Sequence, residues 1–301
     1  MQSSTVRAAL AAVCCALGLA AWSTARQNPA QAEVKVTPVA GPVHFLEGAG
    51  GNIGVSSGAD GVLIVDDQFA ELAPKIQAAL DKLAGAGKGA PRFVLNTHFH
   101  GDHTGSNAIF GRNAPIVAHE NVRKRLLEGG GGNPPMEPAG LPIITYSDVN
   151  GLSLYFNGEE IRIRHFPHGH TDGDSVVWFS GSKVMHLGDL FFNGRFPFID
   201  LDSGGSVEGM TKAVAYVLSS LEPGTAIIPG HGPLASRADL ERYHAMLVGC
   251  QSLVKEALAA GDSVDQMVAN GLLKDYESWS WAFIDTKKFL ETLVREQTQK
   301  H

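Results

Sequence analysis

Strand-rich and helical segments alternate twice along this chain of 301 residues, and this order limits the possible folds more than any other feature. Residues 43–65 contain three short apolar runs typical of strands, and the apolar spacing at 71–83 predicts a helix. A second series begins with a hairpin signal at Asn157-Gly158 and continues to predicted helices at 207–221 and 238–260. The order predicts two sheets packed face to face with helices outside, a layered α/β sandwich in one domain.

A cluster of metal-binding residue types directly follows a predicted strand at 92–97. Within six positions it holds His98, His100, Asp102 and His103. Alternate side chains of an extended segment share a side, so His98 and His100 can bind one cation. Asp102 and His103 fall where the chain turns toward a helix, and they can point at a second cation. Imidazole and carboxylate without thiolate suit zinc, so this cluster predicts half of a two-metal hydrolytic site.

Three later segments supply further candidates, each at the end of a predicted strand. They contain His170, Asp189 and His231, and glycine beside each candidate lets the backbone approach closely. His168 and His186 lie near these ligands, but we expect them to support the strands and loops rather than to bind metal.

With these motifs in this order, the chain resembles the metallo-β-lactamase superfamily over nearly its whole mature length. The resemblance implies a four-layer αββα sandwich with two zinc ions at one edge. It also implies that Asp66, which ends a predicted strand, orients the site. The implied ligands are His98, His100 and His170 for the first zinc, Asp102, His103 and His231 for the second, and Asp189 between the two.

The resemblance further implies hydrolysis, in which a hydroxide bridging the metals attacks the acyl carbon of a β-lactam, lactone, ester or thioester. Asp102 is the candidate catalytic residue that accepts the proton of the water or holds its orientation. Class B β-lactamases usually have cysteine or serine where this chain has Asp189, and an aspartate there is more similar to glyoxalase II and lactonases. Two alternatives stay open: a mononuclear iron sulfur dioxygenase and a non-catalytic metal-binding protein.

The aromatic segment after Asp189 predicts a substrate pocket. Phe192 and Phe196 could form an apolar wall, and Arg195 could pair with a substrate carboxylate. The alternative is that these phenylalanines fill the core beneath the loop. The glycine- and proline-rich stretch at 129–142 is either a lid over the substrate or a surface loop.

The N-terminal residues indicate export. Arg7 precedes an apolar run at 8–21 that is shorter than a membrane span, and Ala30-Gln31-Ala32 is typical of a cleavage site. We expect a signal peptide at 1–32 and a single metallo-β-lactamase-like domain at 33–301, with an uncleaved anchor as the alternative. The mature protein is expected to be periplasmic or secreted, without stable membrane association.

Charge and cysteine content limit the partners. The net charge of −7 gives no electrostatic footprint for nucleic acid. Cys250 is the cysteine left after signal cleavage, so the mature chain can form no internal disulfide. We expect a small-molecule substrate and, from the resemblance, two zinc ions per chain. The sequence leaves the oligomeric state open.

Overall fold

Two sheets organise residues 29–299, the part of the chain that the computed structural model describes. The first sheet has seven strands in sequence order, β1 (Lys35–Ala40), β2 (Val43–Glu47), β3 (Ile53–Gly58), β4 (Gly61–Val65), β5 (Pro91–Leu95), β6 (Ile116–His119) and β7 (Ile144–Tyr146). The second has five, also in sequence order, β8 (Leu152–Phe156), β9 (Glu159–His165), β10 (Ser175–Phe179), β11 (Val184–His186) and β12 (Ala226–Ile228).

Helices connect these strands and follow them. They are α1 (Ala73–Ala84), α2 (Gly101–Thr104), α3 (Asn107–Phe110), α4 (Glu120–Glu128), α5 (Val207–Ser220), α6 (Arg237–Ala260), α7 (Val264–Ala269) and α8 (Thr286–Gln299). Short 3-10 segments include Gly188–Leu190, Leu201–Ser203 and Lys274–Trp279. Among residues 29–299, no helix combines the length and the apolar character needed to cross a membrane.

Three apolar clusters define the order of the layers. Between the sheets, inward side chains of both sheets pack together, including Phe45, Leu63, Val65, Leu95, Ile161, Val177, Phe179 and Ile228. The outer face of the first sheet packs on α1 through Ile76 and Leu80. The outer face of the second sheet packs on α5, α6 and α8, where Tyr243 and Phe289 are fully buried. Each face therefore buries its apolar side chains, and the predicted four-layer αββα sandwich is confirmed.

Strand direction brings several chain segments to one edge of the sandwich. Strands β4 to β7 run parallel to one another, and β12 runs parallel to β11. The carboxyl ends of parallel strands meet at the same edge, which is where α/β proteins place their functional groups. Asp66 follows β4, His98 lies just beyond β5, and Asp189 and His231 lie just beyond β11 and β12.

The predicted hairpin between β8 and β9 also joins the two sheets at the opposite end. Asn157 and Gly158 have φ values of 52° and 81°, as a type I′ turn requires. The Asn157 amide nitrogen donates to the Ser56 hydroxyl (3.0 Å), and its amide oxygen accepts from the backbone nitrogen of Asp60 (2.9 Å). This turn therefore fixes the second sheet against the β3–β4 turn of the first.

A stacked histidine pair crosses from one sheet to the other. The rings of His119, at the end of β6, and His165, at the end of β9, lie 3.6 Å apart between centroids with planes 10° apart. His165 Nδ1 donates to the backbone oxygen of Asp174 (2.9 Å), and His119 Nδ1 accepts from the backbone nitrogen of Asn121 (3.3 Å). The pair is buried, so both rings are held where protonation is costly.

We expect this pair to make stability depend on pH below neutrality. Burial, with His119 beside it, lowers the pKa of His165 to about 4 from its usual 6.5. In the unfolded chain His165 binds a proton near pH 6.5, whereas in the folded protein it binds one only near pH 4. The contribution of the neutral His165 to the free energy of unfolding is therefore fully present above pH 6.5 and is lost as the pH falls toward 4. Thermal unfolding should show a smaller drop in Tm between pH 7 and pH 5 for His165→Phe than for the wild type. Equal drops would contradict the assignment.

The structure differs from the sequence prediction at the margins of the fold. Strand β1 contains Pro38, which sequence patterns exclude from central strands, and it pairs at the sheet edge, where proline is tolerated. Strand β7 has three residues and α8 lies near the C-terminus, and neither was predicted. The predicted signal peptide lies outside the described residues except at positions 29–32, so it stays a prediction.

Candidate metal centre

The seven predicted ligands converge where the loops after β5, β9, β11 and β12 meet. They form three overlapping groups, and within each group the ligand atoms lie within 4.8 Å of one another. The groups are His98 with His100 and His170, His98 with His103 and Asp189, and Asp102 with His103 and His231. The first and third groups are the two ligand sets that the resemblance implied.

The first group consists of three histidines whose free nitrogens face one another. His100 Nδ1 lies 2.7 Å from His170 Nε2, and His98 Nε2 is buried without a hydrogen-bond partner among the described residues. His100 Nε2 donates to Asp200 and His170 Nδ1 donates to the backbone oxygen of Phe198. The facing nitrogens therefore carry lone pairs, and a cation between them would satisfy all three.

The third group, Asp102 with His103 and His231, combines one carboxylate with two histidines. His231 Nε2 lies 3.3 Å from Asp102 Oδ2, and His103 Nε2 lies 3.8 Å from the same oxygen. The Asp102 side chain is 27% exposed, whereas His103 is fully buried. Asp102 thus faces the opening of the site, and His103 forms its floor.

Asp189 lies between the first and third groups. Its Oδ2 is 3.5 Å from His170 Nε2 and 3.4 Å from His231 Nε2, and its Oδ1 is 3.0 Å from His103 Nε2. Among the described residues, His98 Nε2, His103 Nε2 and Asp189 Oδ1 are buried and make no well-directed hydrogen bond, although His103 Nε2 and Asp189 Oδ1 lie side by side. Buried polar atoms are rarely left unsatisfied, and nitrogen with carboxylate oxygen is the donor set of zinc. The residues present therefore fit bound metal cations, with Asp189 in contact with both ligand groups.

Asp66 orients one histidine in each of the two implied ligand sets, His103 directly and His98 through Thr97. Its carboxylate accepts hydrogen bonds from the Thr97 backbone nitrogen and hydroxyl (2.8 Å each) and from His103 Nδ1 (2.8 Å). The Thr97 hydroxyl accepts in turn from His98 Nδ1 (3.0 Å). Asp66 itself adopts φ = 65°, a strained conformation for a residue with a side chain. These contacts fix His98 and His103 with Nε2 directed into the site.

Asp200 is a second orienting carboxylate, which the sequence analysis missed. Its Oδ2 accepts from His100 Nε2 (3.0 Å), and its Oδ1 accepts from the Ser203 backbone nitrogen (3.0 Å). Its own backbone nitrogen donates to the carbonyl of His170 (3.0 Å). Asp200 therefore links two of the three histidines in the first group and leaves His100 with Nδ1 facing the site.

Asp200→Ala is expected to weaken metal binding to the first group about 10- to 100-fold, because His100 loses the partner that fixes its orientation. Asp200→Asn keeps an oxygen acceptor and should lose less. Competition with a chromophoric chelator would measure both affinities. Asp202→Ala is the matched control, since this neighbouring carboxylate contacts the exposed Arg295 and no ligand. Equal affinities in Asp200→Ala and the wild type would contradict the assignment.

Two glycines leave the room that the ligands need. A Cβ atom on Gly51 would lie 2.1 Å from His103 Cε1, and one on Gly230 would lie 2.0 Å from Asp189 Oδ1. Both distances are below any real contact, so a side chain at either position would displace a ligand. The backbone of each loop therefore lies directly against the site, which was predicted for Gly230 beside His231 but not for Gly51.

The charges of the cluster compensate one another. Burial opposes ionisation of Asp189, but four histidines, His231 foremost, hold its pKa well below the usual value. Burial also opposes ionisation of Asp102, yet His103 and His231 lower its pKa to about 2. Despite burial, Asp189 and Asp102 raise the pKa of His231 to about 9. Protons on His103 and His231 thus balance the carboxylates without metal, and a bound cation would release them.

The predicted pocket residues have different surroundings. Phe192 is buried and stacks on His231, with ring centroids 5.0 Å apart and planes 15° apart, so it supports a ligand rather than forming an open wall. Phe196 is fully buried against Phe289 (4.6 Å), so the prediction that it lines the pocket is wrong. The Arg195 guanidinium lies over the Trp281 ring, 5.2 Å from its centroid.

The two histidines predicted to be supports, His168 and His186, contact backbone groups of neighbouring loops. His186 is fully buried, and its ring contacts the backbone oxygen of Asn52 and the backbone nitrogen of Gly188, both at 3.1 Å. His168 is exposed and donates to the carbonyl of Gly204 (3.0 Å). Neither belongs to a metal-binding group among residues 29–299.

Known proteins match this chain in sequence and in fold. The model of the metallo-beta-lactamase superfamily matches residues 50–262. An uncharacterized protein of Aquifex aeolicus is 27% identical over 59% of this chain and 82% of that protein. A probable hydroxyacylglutathione hydrolase of Schizosaccharomyces pombe is 30% identical over 50% of this chain and 52% of that protein. Among solved structures, a metallo-beta-lactamase from Pontibacter korlensis has a TM-score of 0.59 at 16% identity, covering 72% of this chain and 99% of that chain.

Proposed function

The chain belongs to the metallo-beta-lactamase superfamily of hydrolases, and we propose that it is a dinuclear zinc enzyme that cleaves an acyl bond. The observation that supports this proposal is the arrangement of seven potential metal ligands, two groups of three with Asp189 between them. A one-metal site would need three or four of these side chains. The buried nitrogen and oxygen atoms of the remaining side chains would then be unsatisfied, so the presence of all seven ligands favours two ions.

When bound, two zinc ions would polarise the carbonyl of the substrate and lower the pKa of a shared water toward neutrality. The protein supplies the position of that chemistry. Asp102 is ionised and partly exposed, so it can accept a hydrogen bond from the attacking water and hold its orientation. Asp189 is almost inaccessible to solvent and serves as a fixed negative charge between the groups.

The substrate class is a β-lactam, lactone, ester or thioester. Aspartate at position 189 favours a thioester, ester or lactone over a β-lactam, and the resemblance to a probable hydroxyacylglutathione hydrolase favours a thioester. All four substrates place an oxyanion beside the same cations, so one site can act on several of them.

Metal quantification paired with a panel of ester, lactone, thioester and β-lactam substrates tests the proposal on the purified protein. We expect two zinc ions per chain and turnover of at least one substrate. One iron ion per chain would instead indicate a mononuclear sulfur dioxygenase. Two metals without any turnover would indicate a non-catalytic metal-binding protein.

We further propose that residues 1–32 are removed on export, and that the mature enzyme acts on a small molecule in the periplasm or outside the cell. The apolar run after Arg7 supports this proposal. The mass of the protein recovered from a periplasmic fraction would test it. A chain that keeps its N-terminal residues and sediments with membranes would contradict it.

Arg195 is proposed to recognise a carboxylate on the substrate. Its guanidinium is half-buried, and burial alone lowers its pKa, with no neighbouring carboxylate acting on it among the described residues. A half-buried cation that has no carboxylate beside it can gain a charge-assisted hydrogen bond from an anionic ligand. Arg195→Gln should therefore raise KM about tenfold for carboxylate-bearing substrates and change KM little for neutral esters. An unchanged KM for every anionic substrate would contradict this role.

A further inference from the structure

Three aromatic rings that the mechanism does not use form a continuous surface beside the metal centre. Phe283 lies 5.5 Å from Phe198 and 5.6 Å from Trp281 between ring centroids. Phe198 and Trp281 are partly buried, and Phe283 is 47% exposed. These three residues, here the aromatic rim, leave part of their apolar surface open to solvent beside the metal centre.

The aromatic rim borders both ligand groups. Phe198 lies 5.7 Å from the rings of His100 and His170, and Trp281 lies 6.1 Å from the ring of His231. A substrate whose reacting carbonyl lies at the metal centre therefore has the rim within reach of its neighbouring atoms. The rim is continuous with the reactive site and is not a separate groove.

Hydrogen bonds hold the rim in place before any ligand binds. Trp281 Nε1 donates to the backbone oxygen of Phe196 (2.9 Å), and the Phe196 backbone nitrogen donates to the backbone oxygen of Trp279 (2.8 Å). The Trp281 backbone nitrogen donates to the backbone oxygen of Ile284 (3.0 Å). The segment between α7 and α8 is thus fixed to the loop after Asp189, and binding there would cost little conformational entropy.

We propose that the aromatic rim binds an aromatic ring in the substrate, so that the natural substrate is an acyl compound with a ring next to the scissile bond. Rings pair well with aromatic side chains in edge-to-face and offset arrangements, and Phe198 and Phe283 already meet at 67°. The cation of Arg195 lies over Trp281 and that of Lys288 lies over Phe283 (5.8 Å), so the edge of the rim also suits an anionic substituent on that ring. This inference rests on the proposed hydrolase function.

Two matched thioesters test the inference on the zinc-loaded enzyme, the S-phenylacetyl and S-acetyl derivatives of N-acetylcysteamine. We expect kcat/KM to be about tenfold or more higher for the phenylacetyl thioester, because its ring leaves water for apolar surface. In Phe283→Ala this ratio should fall at least about threefold, through a higher KM for the phenylacetyl thioester. Tyr155→Ala is the control, since this 80% exposed residue on β8 lies in no ligand group, and its ratio should match the wild type.

A ratio near one in the wild type, or an unchanged ratio in Phe283→Ala, would overturn the inference. If neither thioester is hydrolysed, thioesters are not substrates of the proposed hydrolase, and calorimetry with phenylacetate and acetate tests the rim separately. Tighter binding of phenylacetate that Phe283→Ala weakens would support the aromatic rim. Equal binding of the two acids, or equal binding by variant and wild type, would reject it.

Discussion

Asp189→Asn is expected to lose metal binding and hydrolytic activity together. Among the described residues, Asp189 is the carboxylate that contacts ligands of both groups, so the variant would leave bound cations without a negative charge between them. Removing one partner of a buried charge contact costs about 3–5 kcal/mol. We therefore expect metal affinity to fall about 10²- to 10⁴-fold and turnover to be undetectable at the metal concentration that saturates the wild type. Metal content after gel filtration, measured with hydrolysis in the same sample, would show both losses.

Asp202→Asn is the matched control for this variant. It makes the same chemical change on an exposed carboxylate that pairs with Arg295, away from the ligands. It should keep both metals and full activity. Two firmly bound metals with wild-type hydrolysis in Asp189→Asn would contradict the bridging role.

Asp66→Ala is expected to destabilise the protein and to disturb both ligand groups. The variant leaves the buried His103 Nδ1 and two donors of Thr97 without their acceptor. Breaking a buried pair in this way costs about 3–5 kcal/mol, which corresponds to a fall in Tm of roughly 10 °C for a chain of this size. Thermal unfolding in the presence of a chelator would measure this cost without any contribution from bound metal.

The neighbouring Asp67 offers a control at the same depth. Both aspartates are fully buried, but burial holds the pKa of Asp67 well above the usual value, and its carboxyl accepts from the Ser106 backbone nitrogen rather than from a ligand. Asp67→Asn should therefore cost much less stability and leave metal affinity intact. If Asp66→Ala and Asp67→Asn behaved alike, Asp66 would be a packing residue and no orienting group.

Local patterns predict the parts of the fold whose structure depends on neighbouring residues. The β8–β9 hairpin is predictable because Asn157 and Gly158 can both adopt positive φ, which the tight turn demands. Strand β1 is not, because its pairing with β2 at the sheet edge decides its structure and Pro38 argues against it locally. The spacing of Phe289, Leu290 and Leu293 on α8 is helical, so that helix lay within reach of the same reasoning.

The candidate site also contains residues that local patterns predict and residues that only tertiary contacts bring into place. Its ligands are predictable because each lies in a short motif of histidine, aspartate and glycine after a strand. Asp200 and Trp281 have no such motif, and loop conformation alone brings them to ligands distant in sequence. The prediction that Phe196 lines the substrate pocket is wrong because an irregular loop has no regular spacing that separates inward from outward side chains. Two positions further along, Phe198 is the ring that reaches the site.

Because the ligands follow strands of both sheets, bound metal would connect the two sheets of the sandwich. His98, His100, Asp102 and His103 follow a strand of the first sheet, whereas His170, Asp189 and His231 follow strands of the second. Cations bound between them would cross-link the two halves of a chain whose described part holds one buried cysteine. Mass action then adds about 2.7 kcal/mol of stability per ion at a hundred times its Kd. The stability of the folded enzyme would therefore depend on the metal concentration around it. At low metal concentration we expect less folded protein as well as less activity.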